Sequence, residues 1–400
     1  MVAPSRPRMA LAAAALLATS IGHAVPSTAS EIPARYHFTG LGSLEGVRLN
    51  NLGQVLGSSP VNKHTSIWGS FAALYSGYGP DAGSVRAVLG PRSAHSRGID
   101  FNDRGEVLAW ESDGSRTGNW SGRPVLWDGS AARPVYDPDD GVLFIPNRLN
   151  NQGMVTGYAS ELGAYGPATW VDGRLERLAE PFQGGESYAI TANDRGQVLG
   201  LAWPEYDRSL PTPEPHPVIW EGGQPRLLES WLGGYNGFAD MNDAGQIVGS
   251  RYDPDRGYQG FLYQDGETID LGLPEWVHSN PVAINGEGDV IGSAQGPDGN
   301  TVWYLASEGS VIPLEDLLPP ELGWTVVELL DLNDSGQILG VGHAGWGPQT
   351  SFILTPPGMD APAAVSTVDQ VVPEPTTLAM LGLIGATGLA RRAVRRRWGR

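Results

Sequence analysis

Outside residues 1–24 the histidines are His37, His64, His95, His216, His278 and His343. A metal centre draws His, Cys or carboxylate ligands together at short spacings, and no two of these histidines stand at such a spacing. Cysteine is absent, which excludes a thiol nucleophile, a disulfide and a cysteine-ligated metal. There is no Gly-x-Ser-x-Gly elbow, no His-Glu-x-x-His pair and no phosphate-cradling glycine run followed by Lys. Neither a cofactor nor a resident metal is expected, and no catalytic residue stands out. Aspartates cluster in turns, at Asp137-Pro138-Asp139-Asp140 and Asp253-Pro254-Asp255. Each is read as a solvated turn, with a surface calcium as the alternative. Carboxylates are abundant enough for separate repeats to assemble a glycosidase-like pair.

Aromatic residues say more. Trp127, Trp170, Trp220 and Trp303, with Tyr263 taken to share their slot, recur in one kind of strand and read as packing. Trp110, Tyr158, Trp203, Tyr252, His343 and Trp346 follow a different strand and lead into loops of variable length. Variable loops on a rigid scaffold are where binding specificity sits. These six are the candidate ligand-binding residues, with ring faces suited to stacking on sugars.

The elements that position them come from a phrase written seven times. It is DLNDSGQILG at residues 331–340, around Asn333, and close copies surround Asn50, Asn102, Asn150, Asn193, Asn242 and Asn285. The steps between those asparagines average near 47 residues, the period of propeller blades. Asn-Asp-x-Gly is a hairpin instruction. The first side chains accept hydrogen bonds from their own turn, and the glycine takes the positive φ that a short hairpin needs. A calcium loop requires denser acidic spacing. These asparagines are therefore assigned to structural turns. A second glycine (Gly57, Gly157, Gly200, Gly249, Gly292, Gly340; Ala109 in one copy) is expected to allow close approach near a crowded axis.

Each unit reads as four strands. From Tyr188 they are YAITA, QVLGLAW, HPVIW and QPRLLE. The seventh unit lacks its fourth strand, while an orphan strand opens the body at Tyr36. Residues 36–41 are expected to complete the last blade and protect two sheet edges. The fold expected is an all-β, seven-bladed propeller over residues 25–355, closed by an N-terminal strand. A linker follows at 356–370.

Composition agrees. The 400 residues include 55 Gly, 32 Pro and 13 Trp, too much turn chemistry for a helical protein and too many large apolar groups for disorder. The net charge is −18. Arg6 and Arg8 near the start, and six Arg against Glu374 at the end, contribute +7, so residues 25–370 carry −25. So acidic a body repels nucleic acid and anionic headgroups.

The ends read as addresses. Residues 1–24 run basic, apolar and then small, the pattern of a secretory signal peptide. Gly22-His23-Ala24 fits the cleavage rule, and Ser27-Thr28-Ala29 is the second option. Residues 371–400 hold Pro373, Glu374 and Pro375, then 15 apolar residues at 376–390, then the arginines. Fifteen helical residues span ~22 Å against a hydrocarbon core of ~30 Å, so flanking valines and snorkelling arginines would extend the transmembrane helix. The arginines would stay cytoplasmic.

This three-part tail resembles the PEP-CTERM sorting signal of exported Gram-negative bacterial proteins. The resemblance implies that an exosortase, an integral-membrane enzyme, reads Pro373, Glu374 and Pro375 and processes the tail. It also implies an association with exopolysaccharide and biofilm. The repeats resemble the extracellular HAF-type family, with residues 268–274 (TIDLGLP) and Leu41-Gly42-Ser43-Leu44 fitting the last part of its consensus. The function expected is an exported cell-surface or matrix binding module linked to exopolysaccharide, tethered to the inner membrane by its C-terminal helix before processing. Two alternatives stay open: a carbohydrate-active enzyme with carboxylates around the central channel, and a scaffold with no small ligand.

Overall fold

Alternating strands separated by glycine turns cannot bury both faces alone, so they stack. The computed structural model describes residues 35–60, 70–89, 96–112, 122–136, 141–161, 164–205, 214–228, 236–271, 278–296 and 298–365. The signal peptide, the turn at 137–140, the sorting motif and the expected transmembrane helix lie outside them. Among the described residues the strands form seven four-stranded antiparallel sheets. No helix there is long and apolar enough to cross a membrane.

The inner strands are β2 (Glu45–Leu49), β6 (Ser96–Phe101), β10 (Val142–Leu149), β14 (Glu186–Ala192), β18 (Asn236–Met241), β22 (His278–Ile284) and β26 (Trp324–Leu332). Each touches the next, and β26 touches β2, so blades 1–7 close a ring. Blade 4 is typical. Its strands β14, β15 (Val198–Trp203), β16 (His216–Glu221) and β17 (Gln224–Leu227) pair in that order. The apolar core is divided among the interfaces between neighbouring blades. Leu199, Ile219, Met241, Ile247 and Phe261, for example, fill the space between blades 4 and 5.

The ring closes as expected. Strand β1 (His37–Gly40) pairs with β28 (Thr350–Thr355), His37 opposite Thr355 and Gly40 opposite Phe352. Leu41 N–H extends the ladder to Ser351 O at 2.9 Å. Residues 356–365, the first part of the expected linker, fold back across the closure. Tyr75 and Thr39 hydroxyls donate to the carbonyls of Ala363 and Pro362, and Ala363 N–H donates to Gly77 O.

Every inner strand is bulged at the same place, between the residues four and two before its asparagine. The bulge explains the second glycine. In all six copies a Cβ would strike the carbonyl of the inner-strand residue five before the asparagine, such as Gly237 O in the case of Gly249. The crowding comes from that carbonyl and a neighbouring side chain, an aromatic ring in five copies and Leu44 beside Gly57, not from the central axis.

Register also corrects one aromatic. Trp127, Trp170, Trp220 and Tyr263 lie opposite Val107, Val155, Val198 and Ile247, the first residue of each second strand. Tyr75 holds that slot in blade 1 and Ala306 in blade 6. Trp303 instead lies opposite Ser293, and its indole N–H donates to Val326 O.

Candidate functional site

The repeated asparagines build a girdle. Each Oδ1 accepts N–H groups of its own turn; in Asn150 these come from Gln152 and Met154 at 3.1 and 2.8 Å. Each Nδ2 reaches the next blade and donates to the carbonyl of the next asparagine. The links run Asn50 to Asn102, Asn150, Asn193, Asn242, Asn285 and Asn333, then back to Asn50, at 2.8–3.4 Å. All seven are buried. The structural assignment thus extends beyond the turn. The side chain must accept on one atom and donate on the other, which aspartate cannot do when ionised.

The next residue makes a second circuit. Its backbone N–H donates to the side-chain Oδ1 of its counterpart one blade on, as Asn151 does to Asp194 and Asp194 to Asp243, both at 2.7 Å. Gly286 has no side chain to offer Asp243, so the circuit is open there. Asn51, Asp103, Asn151, Asp194, Asp243 and Asp334 ring a mouth of about 430 Å³. Burial raises the Asp194 carboxyl above its usual range, and Asp243 and Asp103 add to the rise.

Below the mouth lies a cavity of about 170 Å³. The bulges supply the residues two before each asparagine: Arg48, Asp100, Arg148, Thr191, Asp240, Ala283 and Asp331, all lining it. Nothing in the alternating pattern marks them, because the bulge alters which side chains face the channel. The three aspartates are clamps. Asp100 accepts the N–H of Phe101 and of Leu149 in the next blade, both at 2.9 Å. Asp240 does the same with Met241 and Ile284 at 2.9 and 3.3 Å, and Asp331 with Leu332 and Leu49 at 3.0 and 2.8 Å. Arg48 Nε lies 3.8 Å from Asp100. Every carboxylate oxygen in this layer is held to the wall.

Burial, followed by the Asp331 charge, pushes the Asp240 carboxyl up to about 6. Burial raises Asp331 as well. A raised carboxyl favours folding below its unfolded pKa of ~3.9, and that stability is lost as pH rises through the folded value. The wild-type protein is therefore expected to gain stability from Asp240 as pH falls from 7 toward 5. Asp240→Asn should flatten the dependence of melting temperature on pH across that window. An unchanged slope would contradict the assignment.

The six candidate ligand-binding residues lie at the other end of the blades. Trp203 pairs with Glu186, the first residue of β14, far from the Asn193 turn. They do not converge on one site. Tyr158 and Trp203 are joined through Tyr188, with ring centroids 6.1 and 5.7 Å apart, and Tyr165 extends the run at 6.4 Å. Tyr165 and Tyr188 are exposed. Tyr252 packs edge-on against Tyr258 at 5.4 Å, which in turn neighbours His278. Trp110 is half-buried in blade 2, opposite Arg97 and Pro124. His343 Nδ1 lies 2.7 Å from Gly345 O, and Trp346 is fully exposed beyond it. Tyr165, Tyr188 and Tyr258 were missed because they lie on first and third strands. The cross-strand register, which sequence does not give, brings them in.

Among the described residues no group of three or more His, Asp or Glu is placed to hold a metal ion. The Asp253 turn satisfies itself: its carboxylate accepts the N–H groups of Asp255 and Arg256 at 2.9 and 3.0 Å.

Residues 371–397 match the PEP-CTERM protein-sorting motif. No curated protein matches the chain. Among solved structures, a puromycin hydrolase (S511A mutant complexed with PGG) aligns with a TM-score of 0.52 and 15% identity over 78% of this chain and 52% of that one. The propeller domain of the Trilobed protease from Pyrococcus furiosus, described as having an open velcro topology, aligns at 0.47 and 13%, covering 70% and 86%. An acylaminoacyl peptidase from Pyrococcus horikoshii aligns at 0.45 and 14%, covering 75% and 50%. The chain spans about half the length of the hydrolase and the acylaminoacyl peptidase. At these identities the likeness concerns the fold alone. The sorting motif implies an exported surface protein with a β-propeller body, processed by an exosortase-type enzyme at the membrane.

Proposed function

We propose that the exported propeller is a non-catalytic binding module of the cell surface or matrix, and that its ligand is an exopolysaccharide. The observation behind this reading is the aromatic run Tyr165, Tyr158, Tyr188 and Trp203, mounted across two rigid blades with Tyr165 and Tyr188 exposed and the other two half-buried. Sugar rings present C–H faces that stack on such rings, and rigid aromatic side chains lose little entropy on binding. In this reading residues 376–390 hold the chain in the inner membrane of a Gram-negative cell until the Pro373-Glu374-Pro375 site is processed. The likeness of the repeats to the HAF-type extracellular family fits the same placement. The enzyme alternative is weaker because each carboxylate oxygen of Asp100, Asp240 and Asp331 in the lower layer already accepts a backbone N–H. A glycan array probed with the purified exported protein, with and without calcium, tests the proposal. The expected result is calcium-independent binding that falls at least about tenfold in Trp203→Ala, the loss of roughly 1.4 kcal/mol. A blank array would move the weight to a scaffold, and calcium dependence would return it to the aspartate turns.

A further inference from the structure

The channel contains a guanidinium whose charge faces Asp100, Asp240 and Asp331 but whose N–H donors are not engaged. The Arg148 guanidinium is enclosed by the ring yet opens onto the 170 Å³ cavity, and it makes no hydrogen bond or ion pair among the described residues. Its charged neighbours are Arg48, Asp100, Asp240 and Asp331. The aspartates are already matched by backbone N–H groups, whereas the five N–H donors of Arg148 are not. The side chain is half-buried, so those donors stay open to the cavity. Its planar fork fits a carboxylate in bidentate fashion. Thr191 adds a hydroxyl to the same wall.

The way in narrows the ligand class. The mouth carries the carboxylates of Asp103, Asp194, Asp243 and Asp334. Such a rim repels every anion, in proportion to its charge, so a single carboxylate is opposed least, and it accepts hydrogen bonds from hydroxyl groups. We infer that the central channel is a ligand site, distinct from the aromatic face, for a hydroxylated monocarboxylate of the uronic-acid class, its carboxylate on Arg148 and its hydroxyls toward the acidic rim. The site does not depend on the aromatic face, so either can fail alone.

The test is calorimetric titration of the exported protein with glucuronate, glucose and acetate. Glucuronate should bind, and glucose and acetate should bind at least tenfold more weakly. Arg148→Gln should abolish glucuronate binding. Since Arg148→Gln removes a positive charge from beside Asp100, Asp240 and Asp331, its melting curve is recorded alongside, and Arg148→Lys, which keeps the charge without the fork, should bind at least tenfold more weakly than wild type. A uronate oligosaccharide that binds more tightly than glucuronate identifies a polysaccharide end as the source; equal affinity identifies the free acid. Absence of glucuronate binding, or equal binding by a folded Arg148→Gln protein, overturns the inference.

Discussion

Asn150→Asp should lower stability by about 2–4 kcal/mol at pH 7, although it replaces one atom group by another of the same size. The Oδ1 acceptor for Gln152 and Met154 N–H survives. The donor to Asn193 O at 2.8 Å does not. In its place a buried carboxylate oxygen would face a carbonyl oxygen, which is an unpaired charge beside an unsatisfied acceptor. Asn150 is the cleanest of the seven positions, because Met154 follows where other repeats place a Gln, Glu or Asp that shares the amide. The substituted carboxyl can restore the bond only when protonated, so its folded pKa should lie above ~3.9. The deficit should shrink at acid pH and grow as pH rises through that folded value. Urea unfolding at pH 4 and pH 7 checks both parts. Equal deficits at the two pH values would show that the lost donor is not the cause.

Deleting residues 36–44 should have a larger effect still, abolishing cooperative unfolding of the ring. The deletion removes β1, exposes the edge of β28, and strips Leu41 and Leu44 from the interface between blades 7 and 1. Both leucines are buried, at 0% and 3% exposure. Truncating a buried leucine costs roughly 2–5 kcal/mol on its own, and a whole domain holds only about 5–15 kcal/mol. Phe38 is lost too, and it packs against Trp324 and Phe352 at 4.6 and 5.4 Å. A melting curve of the truncated protein that retains its midpoint would mean that residues 356–365 alone secure the closure.

Much of this architecture was legible because its chemistry is local. Asn-Asp-x-Gly specifies a hairpin from four adjacent residues, and the missing fourth strand of the last unit announced its replacement. The girdle was not legible as such, since it joins residues 43–52 positions apart, and 283 apart at the closing link, through a geometry that exists only in the closed ring. A signal was nevertheless present. The asparagine never varies among the seven copies, while the next residue alternates among Asn, Asp and Gly. A turn alone accepts Asp in place of Asn; a donor to the next blade does not. Trp303 was misplaced because position along a strand, counted from its end, does not fix register. The charged layer was invisible for a related reason. Arg48, Asp100, Arg148, Asp240 and Asp331 look like ordinary polar residues until a bulge turns them toward the channel.

The proposed division between a structural asparagine girdle and saccharide binding on the aromatic face meets its most direct test in one titration. Saccharide binding by Asn150→Asp is measured at a temperature where the variant is still folded, using a ligand that the wild-type protein retains on the array. The expected result is wild-type affinity in a protein with a lowered melting temperature. Lost affinity with an unchanged melting temperature would contradict the division and make the repeated turn part of a binding site.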